Sequence, residues 1–413
     1  MKRRLHFHSD CRSFAGCEQM LAVLLSDEEL RRRYDISFSY RYSLEYEGGF
    51  HSRVHAPVEA MGLRLIDLEA QVTKIRWRPL RIVSRAIAYL SLLRYWYILW
   101  NTVVLCRAWR KRQIDVLHIN NGGYPAAGSC TSAVFAARLL GVRPVLYVVN
   151  NLAASYRSFL RWPDYLFDRL VARWVTLFVT GSTCAAQTLR RVLQLPACKA
   201  INIPNGLPIA KTSEDSGIVR QRFGVSGEFL VIVPAVLEER KGHIYLFRAL
   251  DALRQRGVPK LPVVMVVGDG PKRESLHRSV EEAGLQDKVR FMGHKSYAEY
   301  LELVAAADLL VLPSVSSEDF PNVVVEAMSM GKPVVASRLA GMAEQVEDGR
   351  SGFLVEPRDA SGLADRLQLL AENPTLLRSL GQGGYEKFSR EFSANVIVRR
   401  YDRLYDDLLR CRQ

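Results

Sequence analysis

The chain has 413 residues, of which 48% are hydrophobic and 24% charged, and its 57 lysines and arginines exceed its 43 aspartates and glutamates to give a net charge of +14. That length is long for one core and comfortable for two domains, and the composition excludes a disordered chain. The positive balance favours anionic partners (phosphorylated metabolites, acidic membrane surfaces or nucleic acid) without choosing among them.

The N-terminus, M-K-R-R-L-H-F-H-S-D, is basic, but no long apolar stretch and small-residue cleavage site follow. It reads as a first strand rather than a signal peptide. Strand candidates then follow at 4–9, 35–40, 115–120, 144–150 and 176–181. The most apolar segment runs from 86 to 106, with Arg81 and Arg85 before it, Arg94 and Asn101 inside it, and Arg107, Arg110, Lys111 and Arg112 after it. A central arginine costs roughly 2.5–3.5 kcal/mol in a bilayer, which argues against a span. A buried helix feeding the next strand and a helix lying on an acidic membrane face, tryptophans at the interface, both fit. The proline- and glycine-containing stretch 201–208 suits an interdomain connection.

The second half alternates apolar runs at 228–236, 261–270, 288–293, 308–314, 333–337 and 352–357 with helical patterns, such as the one from Gly242 to about Arg256. Near-continuous β-branched runs separated by helices imply a parallel sheet covered on both faces. The fold class expected is α/β, with two doubly wound parallel-sheet domains facing across a cleft at the C-terminal ends of their strands. Seven scattered cysteines (Cys11, Cys17, Cys106, Cys130, Cys184, Cys198, Cys411) form no C-x-x-C pair, which fits a reducing compartment and argues against a disulfide scaffold or zinc site. Aspartates and histidines are not clustered at metal-ligand spacing, so no metal or other cofactor is expected. No nucleic-acid motif accompanies the charge.

The stretch S-E-D-F-P-N-V-V-V-E-A-M-S-M-G-K-P-V-V-A-S, 317–337, holds the chemistry. A strand and loop lead into a helix from about Pro321 to Met330, with proline in its first turn and Gly331 as its stop. Glu318 falls in the loop and Glu326 on the first or second helical turn. The N–H groups of Phe320, Asn322 and Val323 crown a helix N-terminus suited to phosphate. Carboxylates on either side would accept hydrogen bonds from sugar hydroxyls; the bland alternative is a capping acid plus a solvated helix glutamate.

Two glutamates separated by seven residues, followed by E-A-M-S-M-G-K-P-V-V-A-S, resemble the signature of the retaining glycosyltransferases of the GT-B fold, family four, also called group one. The likeness extends in order through V-V-G-D-G-P-K-R-E-S-L, V-R-F-M-G-H, A-A-A-D-L-L-V-L-P-S and E-D-G-R-S-G-F-L-V-E-P. It implies two Rossmann-like domains, an acceptor-side one over 1–205 and a nucleotide-sugar-binding one over 206–387, with a C-terminal helix at about 388–413 packing back onto the first. It implies that Glu318 contacts hydroxyls of the transferred sugar and Glu326 the nucleotide ribose. Within E-R-K-G-H (239–243), Lys241 would neutralise the diphosphate leaving group, a role the chemistry demands because that group gains charge in the transition state. Relatives often carry a further arginine where this chain has Val236, between Ala235 and Leu237; Arg240 stands next door as its substitute. Gly268 would approach the nucleotide closely, or only make a tight turn, and His294 sits where relatives hold the base.

In the first half, S-F-A-G-C-E resembles the family's glycine–glycine–x–glutamate loop, with Gly16 kept and Ala15 replacing the other glycine. H-I-N-N-G-G-Y-P (118–125) resembles a strand end that often reads His-x-His; Asn120 takes the second position, beside the transferred sugar, and His118 is either part of the site or a core histidine. The function implied is sugar transfer from a nucleotide diphosphate sugar to a saccharide or lipid-linked saccharide, metal-independent and with retention, in cell-envelope polysaccharide or lipopolysaccharide synthesis. The protein would be cytoplasmic or peripheral on the inner membrane face. A sugar-nucleotide epimerase or hydrolase on the same fold, and a catalytically inactive binding protein, are the alternatives.

Overall fold

The computed structural model describes residues 2–11, 14, 16–67, 77, 79–80, 83–84, 93–125, 127–156 and 161–410. The chain divides into two compact units, 1–204 with 398–413, and 205–397.

Among the described residues the first unit is built on seven parallel strands: β1 (Arg3–Ser9), β2 (Tyr34–Arg41), β3 (Glu59–Leu63), β4 (Val116–Asn121), β5 (Val145–Val149), β6 (Leu177–Thr180) and β7 (Ala200–Asn202). Their order is β3-β2-β1-β4-β5-β6-β7. Chain direction across the sheet therefore reverses between β1 and β4, the place where open α/β sheets bind ligands. Sequence patterning missed β3, whose residues E-A-M-G-L carry no β-branched side chain, and β7, which takes the start of the stretch read as a connection. Trp109, Ala133, Ala137, Tyr147 and Phe178 are fully buried, or nearly so, in a core between β4–β6 and the helices Leu93–Trp109 and Gly128–Leu139.

The helix Ala394–Arg410 supplies the last layer of this unit's core through buried Tyr401 and Tyr405. Tyr34 donates its hydroxyl hydrogen to Asp406 (3.0 Å), and Arg33 pairs with Asp402 and Asp406.

Residues 86–92 of the apolar segment, with Arg81 and Arg85, lie outside the described residues, as does Ala15. The remainder forms helix Leu93–Trp109, which buries Asn101, Thr102, Leu105 and Trp109. Asn101 fixes it by exchanging two 2.9 Å hydrogen bonds with the backbone of Ile66. Its opposite stripe (Trp96, Leu99, Trp100 and Val103, at helical spacing) stays exposed, Trp96 by 68%. No described helix is long and apolar enough to cross a membrane.

The second unit has six parallel strands: β8 (Leu230–Pro234), β9 (Val263–Val267), β10 (Val289–Gly293), β11 (Leu309–Leu312), β12 (Val334–Ser337) and β13 (Gly352–Val355). Their order, β10-β9-β8-β11-β12-β13, places the reversal between β8 and β11. Alternate residues serve opposite faces. Val231, Val233, Val264, Leu309 and Val311 pack with helices His243–Gln255 and Ala360–Glu372. Leu230, Ile232, Val263, Leu310 and Leu312 pack with helices Tyr297–Ala306 and Asn322–Ser329. Burial on both faces is why these strands read as unbroken apolar runs.

Candidate active site

In the second unit the loops after β8, β9 and β11 are locked together by glycines. Gly242 has φ +68°, and a Cβ there would lie 2.0 Å from the carbonyl oxygen of Pro313, at the end of β11. The Val315 N–H donates to the Arg240 carbonyl at 2.8 Å. The 3-10 turn Glu239–Lys241 is thereby pressed against the β11 loop, which brings Lys241 Nζ onto Glu318 Oε2. Ser314 Oγ donates to the same carboxylate oxygen at 3.2 Å, and Arg240 Nη1 stands 3.5 Å from it. Arg240 also pairs with Glu238 (2.7 Å). Three residues expected from sequence (Glu318, Lys241 and Arg240) therefore meet at the reversal of the sheet, two cations on one carboxylate. Val236, at the position of the missing arginine, is 46% exposed and offers no charge.

Gly268, with φ +136°, is a glycine for a reason internal to the fold. A Cβ there would sit 2.2 Å from the Ala235 carbonyl oxygen. Its N–H is spent on the Gly293 carbonyl (2.9 Å). His294 is exposed in the turn after β10, an edge strand separated from β8 by β9. His243, which opens the helix after Lys241, is buried with neither ring nitrogen hydrogen-bonded among the described residues, and burial holds its pKa down to about 4.

Helix Asn322–Ser329 starts after Pro321 as expected and carries no acidic residue in its first turn. Asn322 accepts from the Asn205 amide at 3.0 Å, and Val323 is half-buried against the core. The Phe320 ring is a core element, edge-on to Phe392 at 5.4 Å. Glu326, expected on the first or second helical turn, lies within this helix and is only 3% exposed. It is oriented by Tyr300 (2.7 Å) and Tyr297 (3.1 Å), each donating its hydroxyl hydrogen to one carboxylate oxygen. Burial, and then Glu326, push the Tyr300 hydroxyl pKa well up, so it remains a donor. These tyrosines were not singled out from sequence. Their i,i+3 spacing on one helix was legible, but their target, 26 or more residues on, was not.

In the first unit Asn120 is the next-to-last residue of β4 and is buried. Its amide nitrogen reaches Glu18 Oε2 (3.2 Å), Ser9 Oγ (3.3 Å) and the Cys17 carbonyl (3.4 Å), and its oxygen accepts from Asn150 (2.8 Å). Ser9 donates to Glu18 at 2.6 Å, and burial raises the Glu18 carboxyl pKa. Gly16 opens helix Gly16–Ser26 with no atom within 4 Å of where a Cβ would be, so it is exposed backbone rather than a packing requirement.

The structure puts His118 in the core instead of a site. It is 2% exposed, lies 4.7 Å from the Phe7 ring, and is hydrogen-bonded through Nδ1 to the Tyr405 hydroxyl (2.8 Å). Burial lowers its pKa to about 3, which leaves it neutral at physiological pH.

Among the described residues, Cys11, Cys17 and Glu18 place potential metal-ligand atoms within 4.8 Å of one another, a grouping that the linear spacing hid. Cys17 and Glu18 lie in the first turn of a helix, however, whose positive end opposes a cation.

Comparison with known proteins draws the two units into one class. The profile described as Glycosyl transferases group 1 matches residues 217–387, and that of the Glycosyl transferase 4-like domain matches 43–206. The chain is 27% identical over 261 residues to alpha-D-kanosaminyltransferase of Streptomyces kanamyceticus, covering 60% of this chain and 66% of that one. It is 27% identical over 361 residues to 2-deoxystreptamine glucosyltransferase of the same organism, covering 82% and 90%. The chain spans less than two-thirds of the length of the first curated relatives it matches. Its fold is that of Anabaena HepE, solved in complex with UDP, with a TM-score of 0.75 at 21% identity over 98% of this chain and 100% of that one. Two Rossmann-like units of this kind define a GT-B glycosyltransferase fold. The protein belongs to the group 1 glycosyltransferases.

Proposed function

We propose that this protein moves a sugar from a nucleotide diphosphate sugar to a saccharide or lipid-linked saccharide, with retention at the anomeric carbon and without a metal, in the synthesis of a cell-envelope polysaccharide or lipopolysaccharide. The observation that carries this reading is the Lys241–Glu318–Arg240 cluster at the reversal of the second sheet. As the bond between the anomeric carbon and the diphosphate oxygen breaks, negative charge grows on the leaving group. Lys241, Arg240 and the N-terminus of helix Asn322–Ser329 are suited to stabilise it. Glu318 is left to take the hydroxyls of the sugar, and Glu326, steadied by two tyrosines, those of the ribose.

Glu318 and Glu238 are both held in ion pairs with the cations of this cluster, which favours front-side displacement over a carboxylate nucleophile. The acceptor oxygen would form its bond on the face that the diphosphate leaves, and the acceptor proton would pass to a departing diphosphate oxygen. Asn120, being an amide, hydrogen-bonds a sugar without taking that proton. The exposed Trp96, Leu99, Trp100 and Val103 stripe, with Arg107, Arg110 and Lys111 beyond it, supports peripheral contact with an acidic membrane on the cytoplasmic side.

The test is release of nucleoside diphosphate from a panel of UDP, GDP and ADP sugars, with and without acceptors, by wild type and Glu326→Ala. Acceptor-dependent release that falls in the variant supports transfer. Release of free sugar without any acceptor would mark a hydrolase, and tight nucleotide binding with no release a non-catalytic binding protein.

A further inference from the structure

We infer that the acceptor carries a negatively charged group, phosphate or carboxylate, and that Arg161 holds it in a recess of the first unit. The word acceptor rests on the transferase reading; the anion site rests on geometry alone. The recess has a volume of about 320 Å³ and opens between helix Leu93–Trp109, the start of helix Gly128–Leu139, and helix Asp164–Trp174. Tyr95, Ile98 and Asn101 form one wall, a face of the same helix whose opposite stripe presents Trp96 and Trp100 outward.

Two ion pairs border this recess, and they differ. Arg94 and Asp164 are 3.1 Å apart, and the Tyr95 hydroxyl closes the group by bonding to both (2.9 and 2.8 Å). Arg161 and Asp168 are 2.8 Å apart, but their capacities are unequal. Asp168 already accepts from Arg161 and from the hydroxyls of Tyr124 (2.9 Å) and Tyr156. Arg161 is only 9% exposed, yet its Nε and Nη1 have no hydrogen-bond partner among the described residues. The Tyr156 ring, 4.7 Å from the guanidinium carbon, covers the cation without accepting those N–H groups in a hydrogen bond.

A buried guanidinium with two unspent nitrogens, on a residue that lines an open recess, is a donor awaiting an acceptor atom. Arginine's fork matches phosphate and carboxylate oxygens best. The surroundings favour an anion too: residues 1–204 contain 29 lysines and arginines against 14 aspartates and glutamates, while the rest of the chain is near balance. Two sources have this chemistry, the phosphate of a membrane lipid carrier and the acid group of a soluble saccharide.

The experiment uses the full chain and four probes: inorganic phosphate, methyl glucuronide, methyl glucoside, and vesicles of phosphatidylglycerol or phosphatidylcholine. Affinities are read by calorimetry and co-sedimentation in wild type, Lys241→Met, Arg161→Lys and Arg161→Met/Asp168→Asn, the last removing both charges together. Phosphate binding that survives Lys241→Met and falls at least ~10-fold in both Arg161 variants is expected. Preference for glucuronide over glucoside marks the soluble source; Arg161-dependent preference for phosphatidylglycerol vesicles marks the lipid. Equal binding of glucuronide and glucoside by wild type, together with phosphate affinity unchanged within twofold in the Arg161 variants, overturns the proposal. Nucleoside diphosphate binding, followed in parallel with Glu326→Ala as control, tests the transferase reading separately, and its failure alone leaves the anion site standing.

Discussion

Lys241 and Glu318 are ion-paired across 77 residues of sequence, each side chain only 11% exposed. A lysine that neutralises a diphosphate must give up part of this bond when the ligand arrives, and the carboxylate so released is free to accept from sugar hydroxyls. Under the proposed function the pair would be a resting arrangement from which both halves are recruited.

A double-mutant cycle separates the two roles. Lys241→Met leaves Glu318 nearly buried with Arg240 at 3.5 Å as its remaining cation, and should cost about 1–3 kcal/mol in urea unfolding. Adding Glu318→Gln should return most of that stability. Turnover should fall at least ~100-fold in Lys241→Met and stay low in the double variant. Recovery of turnover along with stability would reduce the lysine to a structural partner.

Tyr300→Phe tests how Glu326 is held. Removing the 2.7 Å donor leaves Tyr297 as the other hydroxyl on this carboxylate. Nucleotide affinity measured by calorimetry should weaken roughly 3–10-fold, equivalent to about one lost hydrogen bond. Tyr297→Phe, at the longer and more exposed bond, should do less.

The glycines sort by what surrounds them. Gly242→Ala and Gly268→Ala force a Cβ to within 2.0 and 2.2 Å of carbonyl oxygens at positive φ, and each should lower stability by about 2–4 kcal/mol with a clear fall in melting temperature. Gly16→Ala meets open space and should leave the melting temperature within about 2 °C of wild type. A larger fall there would mean that the loop holds its glycine for backbone conformation.

Acid should destabilise the fold through its buried histidines. His118 and His8 are held at about 3 and His243 at about 4 by burial, against an ordinary 6.5. Below 6.5 the unfolded chain takes protons that the folded chain refuses, so stability falls as pH drops from 6.5 towards these values. Each histidine should contribute about 1.4 kcal/mol per pH unit over that range. Glu18 acts in the opposite sense, since its raised carboxyl binds a proton more readily when folded. Comparing wild type with His118→Gln isolates one site: the slope of unfolding free energy between pH 6 and 4 should shrink by about one proton. An unchanged slope would show His118 titrating normally.

Membrane contact is tested on the outward stripe. Trp96→Ala/Trp100→Ala removes two side chains that are 68% and 54% exposed and should leave the melting temperature nearly unchanged. Co-sedimentation with phosphatidylglycerol vesicles should drop several-fold. Equal sedimentation would mean that the stripe does not touch lipid.

The second unit was legible because its signals are local. Apolar runs gave its strands, and the proline–helix–glycine grammar of 321–331 placed Glu318 and Glu326 near a helix start. Lys241 was singled out only through the resemblance of E-R-K-G-H (239–243) to a family block. The Gly242–Pro313 contact that turns it towards Glu318 is a tertiary event with no linear trace. The first unit gave less. Asn120 was found through the resemblance of 118–125 to the family's His-x-His strand end, but its partners Ser9, Glu18 and Asn150 come from three separate segments. His118 sits on the same short strand as Asn120, two residues away, and only the arrival of Tyr405 shows that it belongs to the core. Arg161 escaped because an unspent donor is defined by what fails to reach it.

The bond between His118 and Tyr405 joins residues 287 positions apart, which has a meaning for synthesis. At roughly 5–20 residues per second a ribosome needs about 15–60 s to travel from one to the other. Once β7 is complete, and while the second unit is being made, the first sheet is without the helix whose Tyr401 and Tyr405 pack on His118. The nascent first half must wait with one flank of its core uncovered, and a truncation that removes only the last turns of the chain would leave it permanently in that waiting state.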